Sequence, residues 1–260
     1  MDTSIEFIKS AQDNAQAYFE KSKRAKLKAR GAGKSIEELR LKLSKVEAQK
    51  QEQKAIKVVE KREWFEKFNW FFTSEGELVI GGRSAEQNEE LNSKHFEKDD
   101  LFFHADIFGA SVVILKGGAS AGYRSILEAA QFAASFSKAW ENMQTTVDVY
   151  SMKREQVTKS TNTGSLGTGS FLLKGERQWH KSVPLELCAF ADEIGSDGKK
   201  RPVVSIAPSD ACRNRDIKDF IVISIGNVKK SDAAKLIAKR LHGDVDYIMQ
   251  HLPAGPFRIH

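Results

Sequence analysis

The sequence predicts a mixed α+β protein: an N-terminal antiparallel helical hairpin, a body of β-hairpins and helices, and a small C-terminal α+β unit. Three observations carry this. Residues 3–30 lack proline and hold helix formers throughout. From Trp64 onward, short apolar stretches bounded by turn residues alternate with capped helical segments, without the rhythm of a parallel sheet. Hydrophobic residues make up 40% of the 260, enough for a core.

In the first segment Ile8, Ala11, Ala15 and Tyr18 follow heptad spacing. Gly31-Ala32-Gly33 is expected to break the helix. A second helix then starts with Ser35 and Glu38 as a capping box, and Ile36, Leu39, Leu43 and Val46 repeat the spacing. Two helices of about 28 residues make an arm roughly 40 Å long, and the short connection favours an antiparallel pair. The seam weakens beyond Val46, where Lys50 and Gln53 fall in line with it.

Residues 69–82, NWFFTSEGELVIGG, read as strand, turn at Glu75-Gly76, and strand. Residues 84–96 read as a helix with Ser84 and Gln87 as its capping box. Residues 100–118, DLFFHADIFGASVVILKGG, give a second strand–turn–strand around Gly109. Residues 125–140 form a helix capped by Ser125, apolar nearly all round and so expected against a sheet. TTVDVYSMKREQV, GSFLLKG, LELCAFADE, RPVVSIAP and FIVISIG are strand candidates, and KSDAAKLIAKRLH and DVDYIMQHL are closing helices. GSDGKKRP marks a seam, dividing the chain into 1–62, 63–195 and 196–260.

Charge is uneven. Residues 1–62 hold 16 Lys and Arg against 9 Asp and Glu, while the remainder is close to balance. Such a stretch binds phosphate backbones through counterion release; equally, Lys and Arg keep an exposed helix soluble. No apolar run reaches the roughly 18–20 residues a membrane helix needs, and the N-terminus has no secretory pattern. Cys188 and Cys212 have neither disulfide-framework density nor metal-ligand spacing. The expectation is a reduced, cytoplasmic protein.

His104 and Asp106 share one face of an apolar strand, their Cα atoms about 6.5–7 Å apart. They suit a metal, an acid–base pair, a polar contact to RNA, or the pinning of a hairpin by satisfied buried groups. A metal site needs three or four ligands, and no other His has paired spacing. No catalytic motif supports a reaction. No cofactor is implied.

Gly81-Gly82 before a capped helix, with Arg83 beside its N–H groups, suggests a phosphate cradle; the plain alternative is a strand end beside an exposed cap. Gln87 and Asn88 have amide chemistry for base edges. LKGGASAGYRSILE brings Lys116, Tyr123 and Arg124 to a Gly-rich connection that is not a Walker motif. KREQVTKSTNTGSLGTGS sets Lys153, Arg154 and Lys159 beside a hydroxyl-rich loop suited to nucleic acid or to water. On the arm, Lys23, Arg24, Lys26, Lys28 and Arg30 are candidate RNA contacts. Trp64, Phe65, Phe68, Trp70, Phe71 and Phe72 are dense enough to be core rather than stacking surface, unless one ring is exposed.

SAQDNAQAYFEKSKRAK, WFEKFNWFFTSEGELVIGGRSAEQNEEL, DLFFHADIFGASVVILK and TNTGSLGTGSFLLKG together resemble the NFACT family. That family includes nuclear export mediator factor, Caliban and the bacterial RqcH proteins once called fibronectin-binding proteins. The first stretch is similar to its coiled coil, residues 64 to about 190 to its RNA-binding module, and the tail to its C-terminal module. The resemblance implies a noncatalytic role on the large ribosomal subunit and peptidyl-tRNA, with large-subunit RNA and tRNA as partners and neither DNA nor membrane. It also implies a further partner: a separate polypeptide carrying the family's N-terminal module, or a quality-control protein on the coiled coil. The N-terminal module and its Asp-x-Arg motif are absent here, so tail elongation does not transfer to this chain. An RNA-processing enzyme centred on His104 and Asp106, and a scaffold acting through the coiled coil, are the alternatives.

Overall fold

The computed structural model describes residue 8 and residues 10–55, 62–161, 164–195 and 200–260. The chain divides into two compact units, Met1–Lys61 and Arg62–His260.

Among its described residues the first unit is one helix, not a hairpin. α1 runs from Ala11 to Ala55, 45 residues, or about 68 Å at 1.5 Å per residue. Ser10 caps it, its hydroxyl accepting from the Asp13 N–H at 3.1 Å. The expected break at Gly31–Gly33 does not occur. Each glycine costs about 1 kcal/mol relative to alanine, but it keeps its N–H, so the hydrogen-bond ladder passes through where a proline would stop it. Ser35 and Glu38 therefore lie inside the helix instead of capping a second one. Residues 56–61, the seam residues 196–199, and the side chains of Val46, Lys50 and Gln53 lie outside the described residues.

The second unit is built on two sheets. β1 (Asn69–Phe72) and β2 (Leu78–Gly81) form the first expected hairpin. Gly76, at φ 101°, takes the left-handed position of its turn. α2 (Ala85–Glu90) passes into a π-helical turn, Leu91–His95. β3 (Leu101–Ala105) and β4 (Val113–Leu115) form the second hairpin. α3 (Tyr123–Ser135) and α4 (Lys138–Glu141) replace one expected helix, because the Ser137 hydroxyl accepts from the Ala139 N–H and starts a new one. β5 (Thr146–Lys153) follows. Small pairs β6 (Val157–Thr158), β7 (Ser160–Thr161), β8 (Gly164–Ser165) and β9 (Leu172–Leu173) shape the loop after it. β10 (Gln178–Pro184) completes a six-stranded sheet ordered β1-β2-β4-β3-β5-β10. β11 (Leu187–Ile194), β12 (Arg201–Pro208), β13 (Ile221–Val228) and β14 (Phe257–Ile259) make a second sheet ordered β12-β11-β13-β14. α5 (Ser209–Asn214), α6 (Lys230–Leu241) and α7 (Val245–His251) accompany it. The expected seam at 195/196 therefore falls inside a sheet.

Strand alternation sorts the first sheet's side chains. Phe71, Val79, Phe103, Val113 and Val149 join a core that continues through α3 to the second sheet. Ala129, Ala130, Ala133 and Ala134 give α3 the thin profile needed between two sheets. Trp70, Ile80, Phe102, Ile114, Tyr150 and Met152 form a second cluster on the opposite face, with Phe65 and Phe68. Cys188 on β11 and Cys212 on α5 are joined by a disulfide, Cα to Cα 6.7 Å, correcting the expectation of reduced thiols. Their separation in sequence carried no sign of it, since the packing of α5 against β11 brings them together.

Candidate nucleic-acid interface

His104 lies on the second-cluster face of β3, and register sets it beside Tyr150 on β5, which in turn lies beside Trp179 on β10. Three rings thus cross three strands in a row. Tyr150 is 5% exposed and Trp179 39%, with His104 intermediate, so the row is most buried at its centre and opens to the surface at Trp179. The Tyr150 hydroxyl is 3.2 Å from His104 Nδ1, and its ring meets that of Trp179 edge-on at 5.4 Å. Burial holds the His104 imidazole below its ordinary pKa, despite hydrogen bonds to the backbone of Ala105 and Ala110 and the nearby Asp106 charge. Burial pushes the Tyr150 hydroxyl up. His104 is therefore a neutral ring at pH 7, suited to stacking and hydrogen bonding and not to neutralising phosphate. Asp106 is exposed in the loop beyond β3, anchored through its N–H to the Asp148 carbonyl at 2.7 Å.

Cations frame the outer end of the row. The Arg177 guanidinium lies 4.5 Å from the Tyr150 ring centre and 5.7 Å from that of Trp179, and Lys181 Nζ lies 4.2 Å over Trp179. Lys181 also pairs with Asp148 at 2.7 Å. Arg177, Trp179 and Lys181 were not among the residues expected from sequence. Their signal was present: basic, aromatic and basic side chains two apart share one face of a strand. Exposed Lys153 lines an adjoining hollow of about 460 Å³ with Arg177 and Gln178.

A cavity of about 520 Å³ opens at the inner end of the row, between His104, Tyr150, Phe102, Asn88, Phe108 and Phe171. Phe108, 92% exposed, stands at the loop that borders it. A Cβ on Gly82 would fall 2.1 Å from Asn88 Oδ1, so only glycine lets the β2–α2 turn approach the helix this closely. Asn88 Oδ1 accepts from the Val112 N–H at 3.2 Å and ties α2 to β4.

Several expected contacts are spent internally. The Arg83 guanidinium turns away from any phosphate cradle: Nε donates to Asn69 Oδ1 at 3.2 Å, and Nη2 to the Phe68 carbonyl and to His251 Nε2, both at 2.7 Å. Its fixed fork of N–H groups satisfies buried acceptors between the two sheets. The expected cradle fails a second way, because the Ser84 hydroxyl already accepts from the Gln87 N–H at the start of α2. Gln87 bridges the Arg83 N–H and the Lys67 carbonyl. Lys116 is held by Asp100 at 2.6 Å, Glu97 and the His95 carbonyl. Arg154 bonds the Phe96 and Val157 carbonyls, and Lys159 pairs with Glu89. Arg124 and the α1 residues Lys23, Arg24, Lys26, Lys28 and Arg30 are exposed. Of the expected core aromatics, Phe65, Phe68, Trp70 and Phe71 are buried, while Trp64 is 45% exposed and stacks on His95 at 4.5 Å.

A ring row with cations at its open end offers the stacking faces and charge that nucleic-acid-binding modules use. Residues 67–175 match the family model described as NFACT protein RNA binding domain. The archaeal Rqc2 homolog aRqcH of Methanocaldococcus jannaschii is 34% identical over 76% of this chain and 30% of its own length. The ribosome quality control complex subunit NEMF homolog of Drosophila melanogaster is 41% identical over 48% of this chain and 13% of its own. Human ribosome quality control complex subunit NEMF is 32% identical over 65% and 16%. The chain belongs to the NFACT family. It spans less than a third of the length of these relatives.

Proposed function

We propose that the chain is a noncatalytic RNA-binding part of the ribosome quality control machinery, acting in the cytoplasm on the large ribosomal subunit and on peptidyl-tRNA of stalled nascent chains. In this reading residues 63–195 are the RNA-binding domain and 196–260 a C-terminal module. The observation that supports it is the His104–Tyr150–Trp179 row ending under Arg177 and Lys181. Exposed cations on α1 add electrostatic attraction. The enzymatic alternative is disfavoured because His104 is engaged by Tyr150 and backbone, while Asp106 is exposed. Cosedimentation with split large subunits tests the proposal. Comigration that weakens steeply with salt is expected, and a chain that ignores subunits and tRNA in low salt ends it.

A second role for α1 is favoured by one observation. Phe19, Leu27, Ile36, Leu39 and Leu43 are all exposed on it. Ile36, Leu39 and Leu43 fall on one side of the helix, a patch that suits capture of a quality-control partner, and capture that survives nuclease and depends on residues 1–62 is the expected sign.

A further inference from the structure

The cavity beside His104 has a composition that sorts charge. Its walls are rings and backbone: Phe102, Tyr150 and Phe171 with the Gly82 and Gly169 turns. Hydroxyls of Ser84, Ser111 and Ser170 supply polar atoms around it. Among the described residues lining it, Arg83 alone carries a charge, and its guanidinium is directed toward Asn69, Phe68 and His251. Two surface cations, Arg177 and Lys181, lie over Tyr150 and Trp179 at the row's outer end, and Lys138 Nζ lies outside the lining, 5.9 Å from the Phe108 ring at its border. An anion would find no counter-charge inside; an uncharged planar heterocycle finds stacking faces and hydrogen-bonding groups.

Size agrees. About 520 Å³ lies within the roughly 300–1,000 Å³ of small-molecule sites, room for a single nucleotide and far too little for a helix. Both glycine turns are also fixed in shape. Gly169 has φ 75°, and a Cβ there would meet Ala85 at 2.9 Å, so the wall formed by the β8–β9 loop sits against α2 only because both contacts are backbone-close.

Resting on the reading of the chain as an RNA-binding protein, we propose that this cavity receives one unpaired nucleobase swung out of an RNA strand, while its sugar–phosphate chain stays outside on the Arg177–Lys181 surface. The strand then binds in two parts: a sequence-tolerant outer contact through cations and Trp179, and an inner contact that requires a base to be present.

The full chain is titrated with a short RNA hairpin carrying one bulged adenosine, and with the same hairpin whose bulged nucleotide is abasic. The base-bearing hairpin is expected to bind about tenfold tighter or more, the range that stacking one base provides. In Ser170→Trp, designed to place an indole at the cavity's lining, the ratio of the two affinities is expected to fall toward one. Equal affinities for the two hairpins in the unaltered chain overturn the cavity assignment and leave RNA binding standing. Failure of both hairpins to bind in low salt overturns the RNA-binding reading itself, and the cavity assignment with it. The comparison in the unaltered chain needs no substitution, so a variant that fails to fold does not decide the matter.

Discussion

Tyr150 faces His104 across β5 and β3, hydroxyl to Nδ1 at 3.2 Å. Burial keeps this imidazole neutral, and the contact orients its ring. His104 is expected to titrate below the ordinary histidine value of about 6.5, followed through its ring protons by NMR. Tyr150→Phe removes one hydrogen bond and is expected to cost about 0.5–1.5 kcal/mol of stability. A His104 midpoint at or above 6.5 contradicts the buried neutral ring.

Trp179 and Trp70 separate binding from folding. Trp179 is partly exposed on the edge strand, whereas Trp70 is buried and donates to the Tyr247 hydroxyl at 3.2 Å. Trp179→Ala is expected to weaken RNA binding by about 1–3 kcal/mol, the contribution of one stacked base, with little change in melting temperature. Trp70→Ala is expected to cost about 3–5 kcal/mol of stability. Calorimetry and RNA titration on both variants check the contrast. Loss of folding without loss of affinity in Trp179→Ala removes the platform.

Arg83 and His251 make stability pH-dependent. Burial first, and the Arg83 charge second, bring the His251 pKa down to about 4. The neutral ring accepts from Arg83 at Nε2 and donates from Nδ1 to the Tyr247 carbonyl at 2.8 Å. Because the folded-state pKa lies below the unfolded one, the folded chain holds fewer protons between about pH 6.5 and 4, and stability falls as pH falls through that window. At about 1.36 kcal/mol per pH unit this amounts to roughly 3 kcal/mol. His104, His180 and His95 are shifted in the same direction, chiefly by burial. Urea midpoints measured across this range are expected to drop toward acid, with a shallower slope in His251→Gln. A flat profile from pH 7 to 4 contradicts the network.

These tests bear on features that differed in how readable they were. The hairpins 69–81 and 101–115 were legible because alternation and a turn glycine state both register and reversal. β10 was not. QWHKSVP is an edge strand, polar on most positions and ending in proline, so it lacks the apolar alternation that marks half-buried strands. That strand carries the outer half of the site. Arg83 was legible as important but not in direction: a guanidinium beside a turn reads the same from sequence whether it faces solvent or buried carbonyls. Only the packing of α7 against that turn, which brings His251 to it, decides the matter.

The α1 cations are expected to act through salt dependence. Replacing Lys23, Arg24, Lys26, Lys28 and Arg30 with glutamine in the full chain should weaken structured-RNA binding at low salt. It should also flatten the plot of log affinity against log salt by about 0.7–0.9 for each phosphate that is no longer neutralised. The Trp179 contribution, being stacking, should survive in the same variant. An unchanged slope assigns the helix's charge to solubility alone.

Gly31 and Gly33 decide between a hairpin and a continuous helix. At both positions a Cβ would meet nothing within 4 Å, and neither has the positive φ of a turn glycine. In an unbroken helix each Gly→Ala change should add about 1 kcal/mol, through higher helix propensity and a less flexible unfolded chain. Helical circular dichroism of the full chain should rise and the first loss of helix should move to higher temperature. Were the GAG segment a reversal holding two helices together, alanine would oppose the turn and both readouts would move the other way. The same pair of substitutions therefore tests whether the exposed Leu27 and Ile36 lie along one rod or face each other across a bend.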